Sequence, residues 1–152
     1  MNVAVIGSGG REHALCFKLS ESQKVTQLFC IPGNAGTNEI CKNIDIDYLN
    51  FDLLHSTLLE NNISLVIVGP EIPLVEGIVD YLADKNIFAF GPSKKASQLE
   101  GSKAFMKKVC QDFNIPTAAY EEFDNLEQAK KFINQSKHPL VIKSDGLAAG
   151  KG

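Results

Sequence analysis

An α/β fold with an open, mostly parallel sheet is expected of this chain for three reasons. Short apolar runs alternate with segments of helical spacing, which is how strand-helix-strand units read in sequence. Three of the runs stop at glycine-proline turns, Pro32-Gly33, Gly69-Pro70 and Gly91-Pro92. The first run, Asn2-Val3-Ala4-Val5-Ile6, breaks into Gly7-Ser8-Gly9-Gly10 and passes at once into helix-forming residues. A buried parallel strand is continuously apolar, glycine lets the backbone come close to a ligand, and the next helix start offers N–H groups and a positive dipole end to an anion. The pattern names a ligand class, a phosphorylated small molecule.

Taken in order, the first strand is expected over residues 3–6 and its helix over 11–20. A second strand over 27–31 ends at Pro32-Gly33, and 34–37 reads as a loop. A short third strand over 44–46 precedes a helix with apolar positions Leu54, Leu58 and Leu59. The run Ser64-Leu65-Val66-Ile67-Val68 is the plainest strand in the chain. Leu74, Val75, Ile78, Val79 and Leu82 share one face of a helix over 74–84, and a strand over 87–90 follows. The strand ends therefore share one edge of the sheet, the edge at which open α/β sheets bind ligands.

Beyond Gly91 the character changes. A helical stretch over 93–113 is interrupted near Gly101 and closed by Pro116, and a further strand-helix-strand unit is expected over 117–123, 126–133 and 140–143. The sequence then stops inside Asp145-Gly146-Leu147-Ala148-Ala149-Gly150-Lys151-Gly152. A strand with no partner leaves its ladder groups unpaired, so roughly the first 100 residues read as one complete lobe and the rest as the start of a second, cut short.

With 152 residues, 44% hydrophobic and 22% charged, the composition is that of a soluble globular protein. The net charge of −3 argues against a polyanion or a membrane surface as partner, and no apolar segment approaches the roughly 20 residues that cross a bilayer. Neither nucleic acid nor membrane is expected as a partner, and a cytoplasmic monomer is. Cys16, Cys30, Cys41 and Cys110 form no C-x-x-C pair and have no histidine at metal spacing, which points to reduced thiols rather than zinc, with Cys16 and Cys30 as small buried hydrophobes.

Two phosphate motifs are met only in part. G-x-G-x-x-G holds at Gly7 and Gly9 but meets Glu12 at its third position, and the strand-end acid that would hold a ribose hydroxyl is replaced by Pro32-Gly33-Asn34. Gly146 and Gly150 are separated by three residues, and Gly152 follows Lys151 where a P-loop needs a hydroxyl. A glycine loop with one lysine can still fold over a triphosphate, because glycine allows close approach and lysine brings a mobile charge. Glu12 and His13 read as first-turn surface residues, and Asp45 and Asp47 as exposed acids beside a short strand.

Five blocks carry a resemblance. Gly7-Ser8-Gly9-Gly10-Arg11-Glu12-His13-Ala14, Pro32-Gly33-Asn34-Ala35-Gly36-Thr37, Val68-Gly69-Pro70-Glu71-Ile72-Pro73-Leu74-Val75, Leu99-Glu100-Gly101-Ser102-Lys103-Ala104-Phe105 and the closing glycine run together resemble the phosphoribosylamine–glycine ligase family. That resemblance implies a Rossmann-like pre-ATP-grasp domain over 1–101 and the beginning of an ATP-grasp α+β domain over 102–152. It implies ATP-dependent ligation of glycine to 5-phosphoribosylamine in purine biosynthesis, with ATP and Mg²⁺ or Mn²⁺ as requirements. The metal ligands are expected outside this segment, so no metal-binding or catalytic residue is assigned within it, and the segment alone is expected to be inactive.

On the same grounds Gly9, Gly10 and Arg11 are assigned to the phosphoribosyl end of the amine substrate, with main-chain N–H groups as principal donors. Glu71, on a rigid turn between Pro70 and Pro73, is assigned to the ribose hydroxyls or the amine. Lys103 and Lys143 resemble the two lysines that approach the α- and β-phosphates of ATP, and Gly146, Gly150, Lys151 and Gly152 form the loop that covers the nucleotide. Two alternatives stand beside this: a dinucleotide-binding domain of an oxidoreductase, and a non-catalytic phosphosugar-binding module.

Overall fold

The protein is described by a computed structural model covering residues 1–148. It divides into two compact units, Met1–Ser97 and Gln98–Gly152. The first holds a five-stranded, wholly parallel sheet, and the α/β expectation is met. Its elements are β1 (Asn2–Gly7), α1 (Gly10–Ser20), β2 (Gln27–Pro32), a 3₁₀ turn (Thr37–Glu39), β3 (Lys42–Asn43), α2 (Phe51–Glu60), β4 (Ile63–Val68), α3 (Glu71–Glu76), α4 (Ile78–Asp84) and β5 (Phe88–Phe90). The strand order is β3-β2-β1-β4-β5, with Val5 opposite Cys30 on one side and Ile67 on the other.

Alternation along the strands divides the core between the two faces of the sheet. Ala4, Ile6, Phe29, Ile31, Val66 and Val68 pack with Leu54 and Leu58 of α2 and Ile78 and Leu82 of α4. Val3, Val5, Leu28 and Cys30 pack on the other face against Cys16 of α1. Burying a leucine or isoleucine side chain is worth about 1.5–3 kcal/mol, so these pairs fix each helix to its strand. Cys16 and Cys30 are fully buried, as expected of small hydrophobes.

Two local expectations are corrected. The helix expected over 74–84 is two helices, because Gly77 stands at φ +99° as the last cap of α3 and the first of α4. The third strand lies at Lys42–Asn43, not over 44–46; Thr37 Oγ1 donates to Asn43 Oδ1 at 2.8 Å and holds that residue beside β2. Ile44 and Ile46 instead turn their side chains onto the core. Leu59 is exposed, while Leu54 and Leu58 supply the buried face of α2.

In the second unit the break near Gly101 is present: α5 (Lys94–Gly101) gives way to α6 (Lys103–Asp112) at Ser102, whose hydroxyl caps α6 by accepting from Phe105 N–H at 3.0 Å. The helix α7 (Leu126–Gln135) follows. Residues 117–123 and 140–143 do not form the expected strands. Both are apolar enough, but a strand needs a neighbour for its N–H and C=O groups, and no strand lies in this unit among the described residues. Val141 and Ile142 are accordingly exposed. Among the described residues no helix is long and apolar enough to cross a membrane.

Candidate functional site

The sheet reverses direction of growth at β1, with β2 on one side and β4 on the other. Loops leaving two such strands part toward opposite faces and open a crevice between them. Here they are residues 7–9, leading to α1, and residues 69–70, leading to α3. Gly69 N–H donates to Ile6 carbonyl at 3.1 Å and holds the two loops together.

Glu12 organises this crevice. From the first turn of α1 its side chain folds back under the glycine loop, where it is only 4% exposed. It accepts from Gly9 N–H at 2.7 Å and from Arg11 Nε at 3.1 Å. A carboxylate three residues into a helix that takes the N-cap amide is half of a capping box, and the helix dipole adds about 0.3–1 kcal/mol. Three glycines make room for it: a Cβ at Gly7 would lie 2.7 Å from Glu12 Cγ and one at Gly9 2.9 Å from Oε2, while one at Gly69 would strike Oε1.

Two expectations change as a result. Glu12 is not a surface residue, and Gly9 N–H is not a free anion donor, because Glu12 already occupies it. The motif spacing did contain the signal, since Gly9 and Glu12 stand as N-cap and third helical residue. What could not be read locally was the partner across the crevice, Gly69.

Arg11 spans the two lips. Its Nη1 and Nη2 donate to Glu71 Oε1 at 3.2 and 3.1 Å while Nε reaches Glu12. Its hydrogen bonds to Glu12 and then to Glu71 raise the guanidinium's pKa. Glu71, the first residue of α3, is pulled below the ordinary carboxylate value by its own main-chain N–H and by Arg11. The guanidinium and Glu71 are about half exposed, so both present charge to the crevice. Alongside, Asn34 Nδ2 donates to Ser8 carbonyl at 2.9 Å, and Thr37 N–H donates to Asn34 Oδ1 at 3.0 Å. His13 lies against Gly36, where a Cβ would come within 2.9 Å of its ring. The first-unit residues singled out in the sequence, Gly9, Gly10, Arg11 and Glu71, thus gather at one place.

In the second unit Lys103 and Gly146 are together: Lys103 Nζ donates to Gly146 carbonyl at 2.7 Å, and Gly146 adopts φ +90°. Asp145 accepts at Oδ1 from Lys103 N–H at 2.6 Å and at Oδ2 from Ser102 Oγ at 2.9 Å. Lys143 is exposed. Gly150, Lys151 and Gly152 lie outside the described residues. Among the described residues no group of three or more His, Cys, Asp or Glu side chains could hold a metal ion.

Residues 1–100 match the family described as phosphoribosylglycinamide synthetase, N domain. The chain belongs to the phosphoribosylglycinamide synthetase family. Residues 101–152 match the same family's ATP-grasp (A) domain. A phosphoribosylamine–glycine ligase of Caldanaerobacter subterraneus subsp. tengcongensis is 47% identical over 152 residues, which are all of this chain and 36% of the relative. The crystal structure of phosphoribosylamine–glycine ligase from Thermotoga maritima superposes with a TM-score of 0.74 at 30% identity, over 100% of this chain and 35% of that one. The biotin carboxylase domain of Hydrogenobacter thermophilus 2-oxoglutarate carboxylase, solved with MgADP, ADP and bicarbonate, shares the fold at a TM-score of 0.70 and 19% identity, over 91% of this chain and 33% of that one. The chain spans about a third of the length of the curated relatives it matches. Membership of the synthetase family agrees with the resemblance carried by the five sequence blocks and sets aside the dinucleotide alternative.

Proposed function

We propose that this chain is the amine-binding domain, residues 1–101, and the front of the ATP-grasp domain, residues 102–152, of a cytoplasmic, monomeric phosphoribosylamine–glycine ligase of purine biosynthesis. The reaction joins glycine to 5-phosphoribosylamine and gives glycinamide ribonucleotide, ADP and phosphate. A carboxylate is a poor acyl donor until one oxygen becomes a good leaving group; transfer of the γ-phosphoryl of ATP to glycine supplies it as glycyl phosphate, and the ribosylamine nitrogen then displaces phosphate. Phosphoryl transfer depends on positioning and charge neutralisation more than on covalent chemistry by the protein. The single observation that carries the proposal is the crevice at β1 and β4, where Arg11 joins Glu12 to Glu71, in a chain matched along its whole length by two domains of one family.

In this reading the Gly10 and Arg11 main-chain N–H groups and the Arg11 guanidinium meet the substrate phosphate, Gly9 borders it with its own N–H held by Glu12, and Glu71 accepts from the ribose or the amine. Lys103, Lys143 and the loop of Gly146, Gly150, Lys151 and Gly152 hold the ATP phosphates. Mg²⁺ or Mn²⁺ would be held by residues outside these 152, and the segment alone would not turn over. The full-length enzyme is therefore expected to release ADP only when both glycine and phosphoribosylamine are present. Arg11→Ala is expected to raise KM for phosphoribosylamine more than KM for ATP, and Lys143→Ala to do the reverse. ADP release indifferent to phosphoribosylamine would overturn the assignment; ribose 5-phosphate binding without turnover would favour the phosphosugar-binding module.

A further inference from the structure

Asp145 carries no role in the proposed function, yet its side chain is held by three hydrogen bonds. Its carboxylate accepts from Ser102 Oγ at 2.9 Å, from Lys103 N–H at 2.6 Å and from Ala104 N–H at 3.3 Å, three donors at the start of α6. The next residue, Gly146, takes the Lys103 ammonium on its carbonyl at 2.7 Å. Lys103 therefore grips neighbouring residues with its two ends, its amide on Asp145 and its ammonium on Gly146. These contacts join positions 41 to 43 residues apart. Apolar packing adds less here than in the first unit, because α6 has no fully buried residue. Hydrogen bonds to an ionised acceptor are roughly twice as strong as neutral ones, and a helix start favours a negative charge.

We propose that Asp145 is a positioning residue for nucleotide binding: it clamps the Asp145-Gly146 turn to the start of α6 and so keeps Gly146 against the Lys103 ammonium. This rests on the reading of Lys103 as an ATP ligand. When a phosphate arrives, the Lys103 ammonium exchanges the Gly146 carbonyl for a phosphate oxygen, while the carboxylate of Asp145 keeps its three donors and the turn stays in place. Asp145 touches no reacting atom. Its effect passes through Lys103 and the turn, and it belongs to ATP affinity rather than to the amine site.

The test uses the full-length enzyme with Asp145→Ala, Asp145→Asn and Lys103→Met, varying ATP and phosphoribosylamine separately. Removing a charged acceptor of several hydrogen bonds is expected to raise KM for ATP roughly tenfold in Asp145→Ala, with KM for phosphoribosylamine within about twofold of wild type. Asp145→Asn keeps an oxygen acceptor without the charge and is expected to fall between the two. Amide hydrogen exchange at Lys103 and Ala104 is expected to quicken in Asp145→Ala, which reports the clamp without reference to activity. An ATP KM unchanged in Asp145→Ala, while Lys103→Met raises it, overturns the clamp alone. If Lys103→Met leaves the ATP KM unmoved, the nucleotide reading fails and the clamp falls with it. Should Asp145→Ala not fold, Asp145→Asn decides: a raised ATP KM supports the proposal, and a wild-type value overturns it.

Discussion

Replacing Glu12 by alanine removes at one stroke the acceptor of Gly9 N–H and one of the two carboxylates that hold Arg11. Losing a hydrogen bond to a charged acceptor costs about 1.5–3 kcal/mol, so Glu12→Ala is expected to unfold at a lower urea midpoint than wild type. An unchanged midpoint would mean that the carboxylate merely rests in the crevice. Glu71 behaves differently because it is half exposed. Its pKa in the folded chain lies below the ordinary glutamate value of 4.5, so its contribution is complete above that value and lost as pH falls through the lower folded value. The stability difference between wild type and Glu71→Gln is therefore expected to be constant from neutral pH to about pH 5 and to close below it, and to stay under about 1 kcal/mol because solvent screens the pair. That Arg11 and Glu71 lie at one edge of the sheet was legible from their motifs, since each flanks a strand-end turn. The burial of Glu12 was not, because it depends on Gly69, which enters from another strand.

Elements made of unbroken apolar runs were the easiest to place. β1, β2 and β4 differ from expectation by a residue or so at their ends, because their side chains meet helices on both faces and nothing competes with that burial. β3 was misplaced because side-chain hydrogen bonds among Asn34, Thr37 and Asn43, rather than apolar content, decide which residues pair with β2. The single helix expected over 74–84 failed at Gly77 for a backbone reason, its left-handed conformation at φ +99°. A Cβ there would also approach Lys94 Cδ to 3.0 Å. An L-residue pays about 1–2 kcal/mol for that conformation, so Gly77→Ala is expected to lower the melting temperature by several degrees without changing the circular-dichroism spectrum of the folded state. A rise in melting temperature would show that α3 and α4 gain by merging into one helix.

At the scale of the molecule the two units differ in what holds them. Among the described residues the buried apolar side chains lie in Met1–Ser97, whereas α6 and α7 bury none. Limited trypsin digestion is accordingly expected to cut at Lys130, Lys131, Lys137 and Lys143 first and leave a resistant fragment containing the five-stranded sheet, as read by intact mass. Equal cutting in both units would contradict the difference in packing. The expectation of strands over 117–123 and 140–143 failed for the same reason that this digestion should succeed: ladders are satisfied between neighbours, and the second unit provides none among its described residues.

The wedge of one acidic side chain among Gly7, Gly9 and Gly69 couples positions drawn from two strands. An alanine at position 69 would collide with that acid, so a lineage could accept the change only after the acid had been shortened. Glu12→Asp is thus expected to act as a suppressor of Gly69→Ala, restoring soluble yield to the double variant above that of Gly69→Ala alone. Such paired inheritance would tie the two lips of the crevice together across generations as firmly as hydrogen bonds tie them in one molecule.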